Sequence, residues 1–233
     1  MPDIQLYSSA VCPFAQRTRI LLQEKGLDYQ THEINLKNKP DNFRQISPQG
    51  KVPVLLCDGD RVWESTIINE YLEEVFPTPA LMPSAPGLRA LTRIWIDFAN
   101  SRFNAAFYKL LLAQTPVDQA DWREEMAHHL RFMEQRGLQE LSDQGPYWLG
   151  DRFSLLDITY YPWFERWAVL EHYRDMTIPD DCQRLKTWWA ALGDRPSVQA
   201  TLQPPENHIK QYARYANNSN SATTASTKEL QRY

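Results

Sequence analysis

Ile4-Gln5-Leu6-Tyr7-Ser8-Ser9-Ala10-Val11-Cys12-Pro13-Phe14-Ala15-Gln16-Arg17-Thr18-Arg19 runs from a strand, through a short loop, into a helix that opens on proline. Ile4 to Tyr7 has the length and alternation of a strand. Pro13 to Lys25 follows as a helix with Phe14, Thr18, Leu21 and Leu22 on one face, and Gly26 ends it. Proline suits the first helical position because the N–H it lacks would have no intrahelical partner there. Cys12 is thereby placed at a helix N-terminus, where exposed N–H groups and the helix dipole favour a thiolate. Arg17 and Arg19 are expected to add a favourable field. The other reading of a single cysteine is a buried structural thiol; the strand-to-helix position and the following proline favour the reactive one.

Outward from this unit, Tyr29 to Asn35 predicts a second strand, Asp41 to Ile46 a short helix, and Val52 to Leu56 a third strand. Asp58-Gly59 signals a hairpin turn into Arg61-Val62-Trp63. Ser65 is expected to cap a helix carrying Ile67, Ile68, Tyr71, Leu72 and Val75 inward. The order β-α-β-α-β-β-α predicts a thioredoxin-like α/β domain over residues 1–77. Pro77, Pro79, Pro83 and Pro86 then mark a linker over 78–86. From Leu88 no strand pattern appears, and Leu88, Leu91, Trp95, Phe98, then Phe103, Phe107, Leu110, recur at helical spacing. Residues 87–216 are therefore expected to form an all-α bundle. Within it Ser154 to Asp157 reads as a capping box opening a helix that carries Ile158, Tyr161, Phe164 and Trp167. Further helices are expected at Cys182 to Leu192 and Glu206 to Ala216. The polar stretch from Asn217 lacks an apolar face, so 217–233 is expected to be a disordered tail.

The 233 residues carry a formal charge of −4, with the basic residues dispersed among the acids, so no nucleic-acid partner is expected. No apolar run of about 18 residues is present, and the N-terminus lacks the basic start and apolar stretch of a secretory signal. A cytoplasmic protein without a membrane partner is the expectation. Three cysteines, Cys12, Cys57 and Cys182, are too few and scattered for a disulfide framework, and an odd number favours free thiols. None has a Cys or His at zinc-site spacing, so no metal is expected. Residue 15 is Ala, so Cys12 lacks the second cysteine of a Cys-x-x-Cys pair, and an external thiol must resolve any mixed disulfide it forms. Cys57 is expected at a strand end and Cys182 on a bundle helix, both as structural residues.

Cys12-Pro13-Phe14-Ala15-Gln16-Arg17-Thr18-Arg19, Asn35-Leu36-Lys37-Asn38-Lys39-Pro40, Gly50-Lys51-Val52-Pro53-Val54, Glu64-Ser65 and Pro162-Trp163-Phe164-Glu165-Arg166 occur in this order. Together they resemble an omega-class, cysteine-type glutathione transferase over residues 4–215. The resemblance implies glutathione as co-substrate, Cys12 as the catalytic thiol and a homodimer as the working form. It implies a cis bond at Val52-Pro53, with the Val52 backbone pairing to the cysteinyl part of glutathione; the residues alone would equally fit a plain strand start. Glu64 would take the ammonium and Ser65 the carboxylate of the γ-glutamyl end, and Lys39 the glycine carboxylate. Phe14 either contacts the ligand or packs on the sheet. The activity implied is thiol transfer or reduction, on disulfides, protein–glutathione mixed disulfides, dehydroascorbate or small electrophilic ketones, with a second-substrate pocket contributed by the helical domain. There the chain departs from the class: an aromatic expected after Pro204-Pro205 is replaced by His208. Tyr108, Tyr160, Trp163 and Trp167 fit either an aromatic pocket or a bundle core.

A second reading is a non-catalytic interaction protein on the same scaffold, of the intracellular chloride channel or stringent starvation type. Arg17, Arg19, Gln23, Glu24 and Lys25 would be costly in lipid, which disfavours the first. Glu64, Ser65 and Lys39, intact in this sequence, disfavour the second.

Overall fold

The computed structural model describes residues 2–142 and 145–217, so the tail expected from 217 lies, beyond that residue, outside the described residues. Two compact units are present. The first holds the chain up to Pro83 together with Asp194–Leu202; the second runs from Ser84 to Gly193 and resumes at Gln203.

The first unit is a four-stranded sheet in the order β2-β1-β3-β4, with β1 at Ile4–Ser8, β2 at Gln30–Glu33, β3 at Val54–Cys57 and β4 at Asp60–Trp63. β1 and β2 are parallel, joined through helix α1 (Pro13–Glu24), while β3 is antiparallel to β1 and forms a hairpin with β4. Asp58 (φ 48°) and Gly59 (φ 97°) form the expected tight turn, both in the left-handed region that right-twisted hairpins favour. Gly26 at φ 60° ends α1, its N–H donating to the Gln23 carbonyl while the Leu27 N–H reaches the Leu22 carbonyl. With α2 (Phe43–Ile46) and α3 (Ser65–Val75) the order is the expected β-α-β-α-β-β-α.

The inward face of α3 differs from expectation. Ile68 and Leu72 are buried, but Ile67 is 56% and Val75 44% exposed, and Asn69 and Glu73 turn inward instead. These polar residues have partners that offset desolvation. Asn69 accepts from Thr18 Oγ1 at 3.1 Å, and Glu73 accepts from Lys25 Nζ at 2.7 Å and from the Leu81 and Met82 amides. Glu64, rather than Ser65, occupies the cap position of this helix.

Asp194–Leu202 contains α11 (Pro196–Gln199), which packs on α1. Arg195 pairs with Glu24 through two contacts of 2.5 and 2.6 Å, Ser197 also donates to Glu24, and Gln16 donates to Thr201 Oγ1 at 3.2 Å.

The second unit is helical: α4 (Pro86–Phe98), α5 (Asn104–Leu112), α6 (Pro116–Phe132), α7 (Gln139–Leu141), α8 (Leu155–Glu165), α9 (Trp167–Arg174), α10 (Gln183–Gly193) and α12 (Pro205–Ala216). Wide π turns at Ala99–Phe103 and Met133–Leu138 link α4 to α5 and α6 to α7. The capping box is present: Ser154 Oγ accepts from the Leu156 amide, and Asp157 accepts from the Ser154 amide at 2.8 Å. α8 continues past Pro162 and stops at Glu165, with Arg166 out of helical conformation, so Trp167 opens the next helix instead of continuing this one. Tyr160, Trp163 and Trp167 are fully buried, with Tyr160 stacked on Trp148 at 4.4 Å and its hydroxyl donating to the Trp95 carbonyl; these aromatics are core.

Candidate active site

Cys12 caps α1 in extended conformation, its carbonyl accepting the first helical bond from Gln16 and its amide donating to Ser9. The loop before it is held on both sides. Arg19 donates to Ser8 Oγ and to the Ser9 and Ala10 carbonyls at 2.8, 2.9 and 3.1 Å, and Glu33 accepts from the Ala10 amide at 2.9 Å and from Ser9 Oγ. Arg19 thus braces the loop rather than simply adding field at the thiol, as the sequence suggests. Glu33, on an exposed edge strand, carries no signal in the sequence that would single it out.

The Cys12 sulfur lies 3.8 Å from the Val52 carbonyl, and the two residues share a cluster with Ala15, Ile34 and Phe43 against which Phe14 packs. The Val52-Pro53 bond is cis. Lys39 is exposed, and its Nζ donates to the Gly50 carbonyl at 2.8 Å, which folds it onto the loop entering Val52. Glu64 sits at φ 69°, ψ 114°, a left-handed conformation costing on the order of 1 kcal/mol for a residue with a Cβ; such residues concentrate at functional sites. Ser65 follows as the first residue of α3, buried, with Arg17 Nη1 donating to its hydroxyl at 3.4 Å. Cys12, Phe14, Val52 and Pro53 therefore gather around the start of α1, Lys39 joins them through Gly50, and Glu64-Ser65 connect through Arg17.

The other two thiols are free but unsuited to chemistry. Burial pushes the Cys57 thiol up, and burial with nearby Asp181 and Glu134 pushes Cys182 up to about 11, so both remain thiols at neutral pH.

Residues 11–75 match the model of the glutathione S-transferase N-terminal domain, and residues 90–191 that of the glutathione S-transferase C-terminal domain. The chain belongs to the glutathione S-transferase family. Among similar members, glutathione S-transferase omega-1 of Sus scrofa is 34% identical, over 84% of this chain and 79% of its own. Glutathione S-transferase DHAR2 of Arabidopsis thaliana is 31% identical, over 82% and 83%. The crystal structure of glutathione transferase Omega 3C from Trametes versicolor superposes with a TM-score of 0.82 at 35% identity, covering 93% of this chain and 91% of that one. The omega resemblance seen in the motifs agrees with these relatives, and the transferase carries its thiol inside the first matched region. Among the described residues, no helix is long and apolar enough to cross a membrane.

Proposed function

We propose that this transferase reduces disulfides at the expense of glutathione, with the Cys12 thiolate as nucleophile. The observation that carries this is a sulfur at the N-terminus of α1, with Ala15 one turn along where a dithiol enzyme would hold its second cysteine. In the first step the thiolate attacks the glutathione sulfur of a mixed disulfide; a Cys12–glutathione disulfide forms and the acceptor leaves as a thiolate. In the second, a glutathione thiolate attacks that sulfur, giving oxidised glutathione and restoring Cys12. Protein–glutathione mixed disulfides and dehydroascorbate, which takes up two electrons from two glutathiones, are the substrate classes.

In this reading Val52 pairs with the cysteinyl backbone, Pro53 fixes that edge, and Phe14 walls the sulfur. Glu64 takes the ammonium, Ser65 the γ-glutamyl carboxylate, and Lys39 swings from Gly50 to the glycine carboxylate. A hydroxyl-type transferase stabilises the glutathione thiolate for conjugation, whereas a cysteine thiolate at that position exchanges with an existing disulfide of glutathione, displacing the partner thiolate. Reduction of a small mixed disulfide or of dehydroascorbate should therefore outpace conjugation of an aryl halide by about a hundredfold in kcat/KM, which is roughly 3 kcal/mol of transition-state preference. Robust conjugation with little disulfide reduction would contradict the assignment.

The working form in this reading is a homodimer in the reducing cytoplasm. The first unit leaves Trp63 and Ile67 in water, and α4 of the second exposes Leu91 and Ile94, the latter 60% exposed; apolar surface of this kind is what a second copy would cover. Sedimentation equilibrium at micromolar concentration should return twice the chain mass, and a single-chain mass at all concentrations would remove this part.

A further inference from the structure

Residues 35–51, between β2 and β3, carry Lys37, Lys39, Arg44 and Lys51 against a single acid, Asp41, a net charge of +3 in a chain whose formal charge is −4. The segment borders the thiol. It leads into Val52, whose carbonyl is 3.8 Å from the Cys12 sulfur, and its Phe43 packs in the same cluster as Cys12. Lys39 Nζ reaches the Gly50 carbonyl at 2.8 Å, and Arg44 lies over Gly50, its Nε 3.8 Å from where a β-carbon would stand. Cations from two parts of the segment thus meet two residues before Val52. Lys37, Lys39 and Arg44 are exposed, and among the described residues none of the three pairs with a carboxylate.

Glutathione does not account for this surplus. The tripeptide has two carboxylates, and the reading above places one at Ser65 and the other at Lys39, so Lys37 and Arg44 meet no anionic group of the ligand. What remains of a mixed disulfide is the polypeptide on its other sulfur. Cations along a rim attract acidic side chains next to the reacting bond and raise the rate of productive encounter. We propose that residues 37–51 form a docking surface for the protein half of a mixed disulfide, so that the transferase selects glutathionylated cysteines flanked by aspartate and glutamate. This rests on the thiol-transfer reading. The exchange itself is unchanged: the Cys12 sulfur attacks the glutathione sulfur, the S–S bond breaks, and the acidic polypeptide leaves as its thiolate. The rim charges act on capture.

The test is deglutathionylation of two peptides of equal length, glutathionylated at a central cysteine and flanked by glutamates or by glutamines, with the cysteine–glutathione disulfide as a small reference. At an ionic strength of about 0.02 M, where charges act across roughly 20 Å, the native chain should process the acidic peptide with kcat/KM about tenfold above the glutamine one. At about 0.5 M the two should converge to within about twofold. Lys37→Glu combined with Arg44→Glu should remove or reverse the preference and leave the small disulfide within about twofold of native turnover, which also shows that the variant folds. Lys37→Gln alone, at an exposed position, should lower the preference about twofold and carries the comparison if the double variant does not fold. Docking is read apart from chemistry by fluorescence anisotropy of the acidic peptide with serine in place of its cysteine. Equal kcat/KM for the two peptides at low salt overturns the proposal, as does a preference that the double variant retains. A chain that binds the serine peptide in a salt-sensitive way lost in the double variant, yet reduces no disulfide, removes the thiol-transfer reading and leaves the acidic docking surface standing; reduction of all three disulfides at rates indifferent to charge does the reverse.

Discussion

Cys12→Ser should abolish glutathione-dependent disulfide reduction, with kcat falling by about a thousandfold or more, the scale seen when a nucleophile is removed. The hydroxyl is a poor nucleophile near neutral pH, and no other thiol can substitute: Ala15 occupies the position of a second cysteine, and burial keeps Cys57 and Cys182 protonated. Folding should be nearly untouched, because the exchange of sulfur for oxygen changes little volume in a cluster that Ala15, Ile34, Phe43 and Val52 already fill. The variant is therefore expected to unfold in urea within about 1 kcal/mol of the native chain. Retained turnover would reduce Cys12 to a core residue.

The largest stability effect should come from a residue far from this chemistry in sequence. Asp157 is fully buried and its carboxylate accepts four hydrogen bonds, from the Trp148 amide at 2.9 Å, the Ser154 amide and hydroxyl at 2.8 and 2.9 Å, and Trp188 Nε1 at 2.7 Å. It ties the start of α8 to the segment before it and to α10. Asp157→Ala leaves these donors buried without an acceptor, each costing about 1 to 3 kcal/mol, so a loss on the order of 4 kcal/mol is expected after partial relaxation. Asp157→Asn should recover a fraction, since its single carbonyl can serve only some of the four. Equilibrium urea unfolding checks both, and a loss below about 1 kcal/mol for the alanine variant would mean that the network contributes little.

Both predictions lean on features legible in the sequence. Strand, loop and Cys12-Pro13 identify the first unit because helix-initiating proline and apolar alternation are local signals, and Ser154 with Asp157 identifies the start of α8 for the same reason. What escaped was determined by tertiary partners. Ile67 and Val75 lie outward because Thr18 and Lys25 satisfy Asn69 and Glu73, and nothing in the helix itself announces those bonds. Asp194–Leu202 packs in the first unit through Arg195 and Ser197 on Glu24, a contact between residues more than 170 positions apart that composition does not reveal. Near Cys12, the motif segments stand out in the sequence one by one, whereas the bracing of the Cys12 loop by Arg19 and Glu33, and the bond from Arg17 to Ser65, depend on which side chains the sheet and helices bring together.

Cys12 is tested most directly as the reactive thiol by a single exposure of the native chain to oxidised glutathione without reductant, followed by intact mass and peptide mapping. One glutathionyl group per chain is expected, on Cys12, released by added glutathione and absent in Cys12→Ser. An unmodified Cys12, or an adduct carried by Cys57 or Cys182 instead, would contradict it.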